Sequence, residues 1–292
     1  MKTFSLSQNF FPAIIFLVFG CGSGDLKSSG SNPARGGGNT VELSPSRVEA
    51  PSPYQFTGVI LNGGSLRCSG VLLAHGLMVT AKHCFSSSEE DGTASISEIS
   101  LVFPNLNTVT ASDERISIED VIFDTPLGSG NDIAYITFDP ALTTGTVDPF
   151  SGEINTSTVV PVSEAMTTVG FPSTDDGSVI RLATKNCKRL DKEGTIGPNI
   201  EDKGYDGTLY DTNCVAWKGN SGGGFYTIDP DSADLTPLSL VGVVTHTFDL
   251  TSTGGIDPLK QSSDSYGTYV STVNYSAFKD AEKLQEMLNL YQ

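Results

Sequence analysis

Hydrolysis of an amide needs a nucleophile, a base to take its proton, a group to orient that base, and donors for the developing oxyanion. The chain offers each in a short, distinctive setting. Ser221 stands in Lys218-Gly219-Asn220-Ser221-Gly222-Gly223-Gly224. The surrounding glycines let the backbone turn tightly and let a carbonyl come close, so the N–H groups of Gly219 and Ser221 are candidate oxyanion donors. Taken alone, the string would read first as a flexible loop. His83 is one of three histidines and ends an apolar run in Val79-Thr80-Ala81-Lys82-His83-Cys84. Asp132 opens another apolar run, Asp132-Ile133-Ala134-Tyr135-Ile136. A carboxylate can be buried at such a strand mouth if an imidazole and backbone N–H groups compensate its charge. His75, in the turn Ala74-His75-Gly76, is expected to be structural or exposed.

These residues sit among short β-rich segments separated by turn residues. Tyr54 to Asn62 and Ser65 to Leu73, joined by Gly63-Gly64, read as a hairpin, with Leu77 to Ala81 following. Further strands are expected at Ile99 to Phe103, Ser117 to Phe123, Ile133 to Phe138, Met166 to Phe171, Ser178 to Thr184, Leu240 to Thr245 and Thr268 to Val273. With no long helical patterns between them, an all-β sandwich or barrel arrangement is expected rather than a parallel sheet. One helix is anticipated: Phe278, Ala281, Leu284, Met287, Leu288 and Tyr291 recur at helical spacing behind Ser276 as N-cap.

Taken in order, Cys68-Ser69-Gly70-Val71-Leu72, Thr80-Ala81-Lys82-His83-Cys84, Asn131-Asp132-Ile133-Ala134 and Gly219-Asn220-Ser221-Gly222-Gly223 resemble the trypsin/chymotrypsin-like serine peptidases. Leu240 to Val244 looks like the strand bordering their specificity pocket, and Tyr266 to Val270 like their last strand. The likeness runs over about residues 52 to 292. It implies an all-β fold of two six-stranded antiparallel barrels with a C-terminal α-helix, and a triad of His83, Asp132 and Ser221 in the cleft between the barrels. The implied activity is endopeptidase hydrolysis of protein or peptide substrates through an acyl-enzyme. The alternative is a non-catalytic surface binding lipoprotein on the same fold. On this reading residues 48–157 form the first barrel, 158–275 the second, and 276–292 the helix.

The chain also departs from the family's best-known members. Asn220 stands where zymogen-activated members carry an Asp that pairs with the new N-terminus, and a neutral amide cannot make that ion pair. Asn220, like Gly170-Phe171-Pro172, is similar to the bacterial glutamyl endopeptidase branch. Val215 falls at the pocket floor, where members that cut after Arg or Lys carry an Asp, so cleavage after basic residues is disfavoured. Thr245, His246, Thr247 and Gly267 are expected to line the pocket. In glutamyl-specific relatives a pocket His stands two places before His246, at the position of Val244. Glutamyl and small-to-medium apolar preferences therefore both stay open.

Composition sets the remaining bounds. A net charge of −17 leaves no basic footprint for nucleic acid. Lys2 and the apolar run Phe10 to Phe19, too short to span a bilayer, read as a signal peptide over residues 1–20. Val18-Phe19-Gly20-Cys21 resembles the bacterial lipobox, which implies lipidation of Cys21 and membrane attachment. Residues 21–47 are rich in Gly and Ser and are expected to form a flexible tether. The expected location is an outer-membrane or cell-surface lipoprotein, otherwise periplasmic or secreted, and the expected state is a monomer. Setting Cys21 aside leaves Cys68, Cys84, Cys187 and Cys214, an even number in an exported chain. Four cysteines allow three pairings. A Cys68–Cys84 bridge would tie the turn of His83 to a neighbouring strand and add about 3 kcal/mol in the chain-entropy picture. Cys187 and Cys214 then remain for each other. The three scattered histidines form no ligand-spaced cluster, so neither a metal nor another cofactor is expected.

Overall fold

A computed structural model of the chain describes residues 46–50, 52–85, 96–124, 132–156, 160–161, 164–174, 176–189, 209–229, 235–247, 262–264, 267–269, 273–278 and 281–291. The expectations placed on residues 1–45 (signal peptide, Cys21 and nearly all of the tether) lie outside the described residues. The strands are β1 (Ser46–Glu49), β2 (Thr57–Asn62), β3 (Ser65–Ala74), β4 (Leu77–Thr80), β5 (Ile99–Val102), β6 (Ile116–Ser117), β7 (Asp120–Phe123), β8 (Ala134–Thr137), β9 (Glu153–Ile154), β10 (Ala165–Gly170), β11 (Leu182–Lys185), β12 (Cys187–Lys188), β13 (Leu209–Asp211), β14 (Gly224–Ile228), β15 (Pro237–Thr247), β16 (Ser262–Asp264), β17 (Gly267–Tyr269) and β18 (Val273–Ala277). They make two curled, essentially antiparallel sheets and a small β16–β17 ribbon. Among the described residues one α-helix, α1 (Glu282–Tyr291), follows.

The first sheet has the order β6-β5-β2-β3-β4-β8-β7. The hairpin β2–β3 turns on Gly63 and Gly64, both at positive φ (56° and 86°), the conformation that two-residue hairpin loops require. The sheet's two ends belong to one stretch of chain. The run 116–123 gives β6 to one edge and β7 to the other, so a single bent segment satisfies both open edges. This break at Ile118-Glu119 makes seven strands of the expected six.

The second sheet has the order β1-β11-β10-β14-β15-β18-β13, with β12 also on β10 and β9 parallel to β15. The chain kinks at Asn186 (φ 57°) and continues as β12, after which Arg189 bridges to Thr212 beside β13. The Cys187–Cys214 disulfide pins the same junction, with a Cα–Cα distance of 4.7 Å. Two short strands cross the expected boundaries. β1 pairs with β11 through Ser46↔Lys185 to Glu49↔Leu182, so residues 46–49 are neither tether nor part of the first sheet. β9, from the end of the first segment, also lies on the second sheet.

The helix is shorter than its periodicity suggests. Ser276 is not its N-cap. It lies in β18, fully buried and paired with Leu209 and Val243. The ladder bonds of a central strand hold the backbone there extended, and α1 begins six residues later. Its buried residues, Leu284 and Met287, belong to the same apolar cluster as Val71, Leu77 and Phe138 of the first sheet.

Candidate active site

Strand pairing brings His83 and Asp132 together. β4 and β8 run antiparallel with Thr80 opposite Ala134, so the residues just after Thr80 meet those just before Ala134. After Ala81, which is buried and extended, the chain makes one tight turn over Lys82–Cys84. The Lys82 N–H donates to the Asp132 carbonyl at 3.2 Å. The His83 N–H donates to Asp132 Oδ1 at 2.9 Å, and His83 Nδ1 lies 2.7 Å from Oδ2. The Cys68–Cys84 disulfide, with Cα atoms 6.2 Å apart, fastens the turn to β3.

Asp132 is fully buried and held from the second sheet as well. The Thr245 hydroxyl donates to Oδ2, and the Asp132 N–H donates to Ser276 Oγ at 3.1 Å. Three donors therefore converge on the carboxylate. Lys82, also buried, has its ammonium pKa pushed down by burial, while Asp132 and Asp124 pull it back up.

Ser221 lies in a tight turn that leads into β14. Asn220 N–H donates to the Trp217 carbonyl at 3.0 Å and Gly223 N–H to the Asn220 carbonyl at 2.8 Å. Gly222 and Gly223 then exchange backbone bonds with Val244, both at 2.7 Å. The turn is tied across to the first sheet by Ser69. Its N–H donates to the Ser221 carbonyl at 2.8 Å, and its hydroxyl donates to the Gly219 carbonyl at 2.7 Å while accepting from Phe171 N–H at 2.8 Å. Thr80 Oγ1 donates to the Ser69 carbonyl at 2.7 Å. The N–H groups of Gly219 and Ser221 donate to no acceptor among the described residues. His83 and Ser221 open on one cleft of about 340 Å³, together with Arg67, the Cys68–Cys84 disulfide, Trp217, Lys218 and Gly219.

The other anticipated residues are placed more sparsely. Val215 is buried, with its carbonyl accepting from Thr184 Oγ1 at 2.9 Å. Thr245 is buried with its hydroxyl on Asp132. His246 and Thr247 end β15, and Gly267 opens β17. His75 lies in the turn after β3, its Nδ1 3.2 Å from Thr143 Oγ1. Asn220 is buried, and its Oδ1 has no hydrogen-bond partner among the described residues. Among the described residues the one cluster with metal-ligand spacing is Cys68, His83 and Cys84, and its two sulfurs are bonded to each other.

Sequence reading missed Ser69 and Ser276 and gave Thr245 a pocket role only. A hydroxyl residue at zero exposure in an apolar strand is the signal that marks Ser69, but the sequence alone does not reveal its burial. No curated protein matches the chain. Residues 46–264, well over half of the chain, match the model of the family described as Trypsin, and the chain belongs to the trypsin family of serine peptidases.

Proposed function

We propose that this chain is an active serine endopeptidase. Ser221 attacks the scissile carbonyl. His83 takes the Ser221 proton and later gives it to the leaving amine. Asp132 holds His83 with its Nδ1 protonated, so that Nε2 is the basic nitrogen, and compensates the imidazolium that forms. Gly219 and Ser221 N–H groups receive the oxyanion. The observation that carries this reading is the two-point grip of Asp132 on His83, through ring and backbone, beside a cleft that also holds Ser221.

A biotinylated fluorophosphonate should label the folded, oxidised protein, and peptide mapping should find the adduct on Ser221. Heat-unfolded protein should not react. A folded protein that remains unlabelled would remove the proposal.

Thr245 supports the orienting acid. Thr245→Val keeps the shape and deletes one donor to a buried carboxylate. Loss of a charge-assisted hydrogen bond of this kind is expected to lower kcat about tenfold with little change in KM. Steady-state kinetics on a peptide substrate will measure it.

Val215 brings no carboxylate to the pocket floor, which supports a preference other than basic residues. The neutral Asn220 supports an enzyme that does not use a buried ion pair with a freed N-terminus. The two disulfides fit an exported protein. Among the described residues no helix is long and apolar enough to cross a membrane. The lipobox-like Val18-Phe19-Gly20-Cys21 supports attachment through lipid at Cys21. Cys21→Ser is expected to move the protein from the membrane pellet to the soluble fraction without changing its peptidase activity, as fractionation and fluorophosphonate labelling will show.

A further inference from the structure

Among the described residues, the cleft beside His83 is lined by two cations, Arg67 and Lys218, and no carboxylate. Arg67 projects from β3, and its Nε donates to the Cys84 carbonyl, which holds the guanidinium next to the turn that carries His83. Lys218 lines the same cleft from the turn before Ser221, with its carbonyl accepting from Ser173 N–H at 3.2 Å. Trp217 and the Cys68–Cys84 disulfide supply apolar surface beside them. Among the described residues neither cation has a carboxylate within ion-pair distance. In a chain of net charge −17 this is a local reversal of sign. A positively lined concavity with partly apolar walls focuses the field on an anionic side chain.

The cleft's position says which part of a substrate would lie in it. His83 must hand its proton to the leaving amine, so the peptide downstream of the cut passes His83. Val215, at the expected floor of the acyl-side pocket, is not among the residues lining this cleft. We infer that Arg67 and Lys218 form a subsite for an Asp or Glu side chain within the first two residues after the scissile bond. Substrates with an acidic residue just downstream of the cut would be preferred. This inference rests on the peptidase reading above. Arg67's guanidinium, already fixed by the Cys84 carbonyl, retains N–H donors that can approach a carboxylate. Lys218 is exposed and acts as a second point charge in the same cleft.

The test begins with a peptide library digested by the wild-type protein and read by mass spectrometry, which also supplies a good acyl half. Quenched fluorescent peptides then keep that half and carry Asp, Asn or Lys at each of the two downstream positions. At one of these positions Asp is expected to be cleaved with kcat/KM about three- to tenfold above Asn, with Lys below both. Raising salt from about 0.02 to about 0.5 M should bring the ratio toward one. Arg67→Gln, which keeps an amide donor for the Cys84 carbonyl, and Lys218→Gln should each lower the Asp/Asn ratio, and the double variant should abolish it. Because the ratio is taken within one protein, any general loss of activity cancels. If a variant does not fold, the wild-type ratio and its salt dependence still decide. Equal cleavage of Asp and Asn peptides at low salt, by a protein that labels at Ser221, overturns this inference alone. A folded protein that neither labels nor cleaves removes the peptidase reading and this inference with it.

Discussion

Asp132→Asn is expected to leave the fold standing and to lower kcat by about 10⁴-fold, the size found when the equivalent Asp of a serine-protease triad is replaced by Asn. The change is isosteric. Both backbone bonds of the residue, from its N–H to Ser276 Oγ and from the Lys82 N–H to its carbonyl, are untouched. The side chain is another matter. Three donors now point at its two oxygens: the His83 ring, the His83 N–H and the Thr245 hydroxyl. An amide presents one oxygen and one NH₂, so one donor must face another. If the oxygen keeps the His83 backbone N–H, the NH₂ faces Nδ1 and the Thr245 hydroxyl must rotate away. The imidazole then relaxes to the tautomer with the proton on Nε2. That nitrogen can no longer accept the Ser221 proton. Thermal unfolding should show a melting temperature close to wild type, while steady-state kinetics and the fluorophosphonate labelling rate fall together. A variant within about tenfold of wild type would mean that Asp132 does not set the tautomer.

The parts of this site that were legible in the sequence are those written in local pattern. Gly63-Gly64 between two β-rich runs specifies a hairpin, because its turn needs positive φ and the flanking residues need burial. The approach of His83 to Asp132 is only one step further. Each lies at the end of an apolar strand, and two such strands pairing antiparallel bring those ends together. The rest depends on contacts between residues far apart in sequence. Ser69 meets the Gly219 carbonyl across 150 positions, Asp132 meets Ser276 across 144, and Thr245 meets Asp132 across 113. Nothing in a serine's immediate neighbours says which distant carbonyl or carboxylate its hydroxyl will find. The misplaced helix start has the same origin. Ser276 before an amphipathic run has the local form of an N-cap, but pairing with β13 and β15 holds it extended. That one segment serves both edges of the first sheet was hidden for a related reason. Whether 116–123 is one strand or two halves serving opposite edges is decided by the curvature of the whole sheet.

Gly222 lies at the point where the two sheets meet, and Gly222→Ala is the substitution expected to damage stability most. Two costs add there. Its φ of +79° is a conformation that an L-residue adopts at about 1 kcal/mol or more. A Cβ would also fall 2.0 Å from Thr80 Oγ1, 2.4 Å from the Ser69 carbonyl oxygen and 2.8 Å from Ala81 N. All three atoms belong to the first sheet or the turn that leaves it, so the methyl would wedge apart the contact through which Ser69 holds Ser221. Overpacking of this kind costs about 1–3 kcal/mol where side chains can adjust, and more where backbone must move. A total of about 3–5 kcal/mol is therefore expected, with peptidase activity lost as Ser221 shifts from His83. Gly177→Ala separates the two costs. Gly177 has nearly the same φ, +84°, but no atom lies within 4 Å of the site its Cβ would take. It should lose only about 1 kcal/mol and keep full activity. Adding Thr80→Ala to Gly222→Ala removes the closest contact but leaves the Ser69 carbonyl in place, so rescue should be partial. Denaturant unfolding of the wild type and the three variants measures the ladder directly. Equal losses for Gly177→Ala and Gly222→Ala would show that backbone conformation, and not the contact between the sheets, makes glycine necessary beside Ser221.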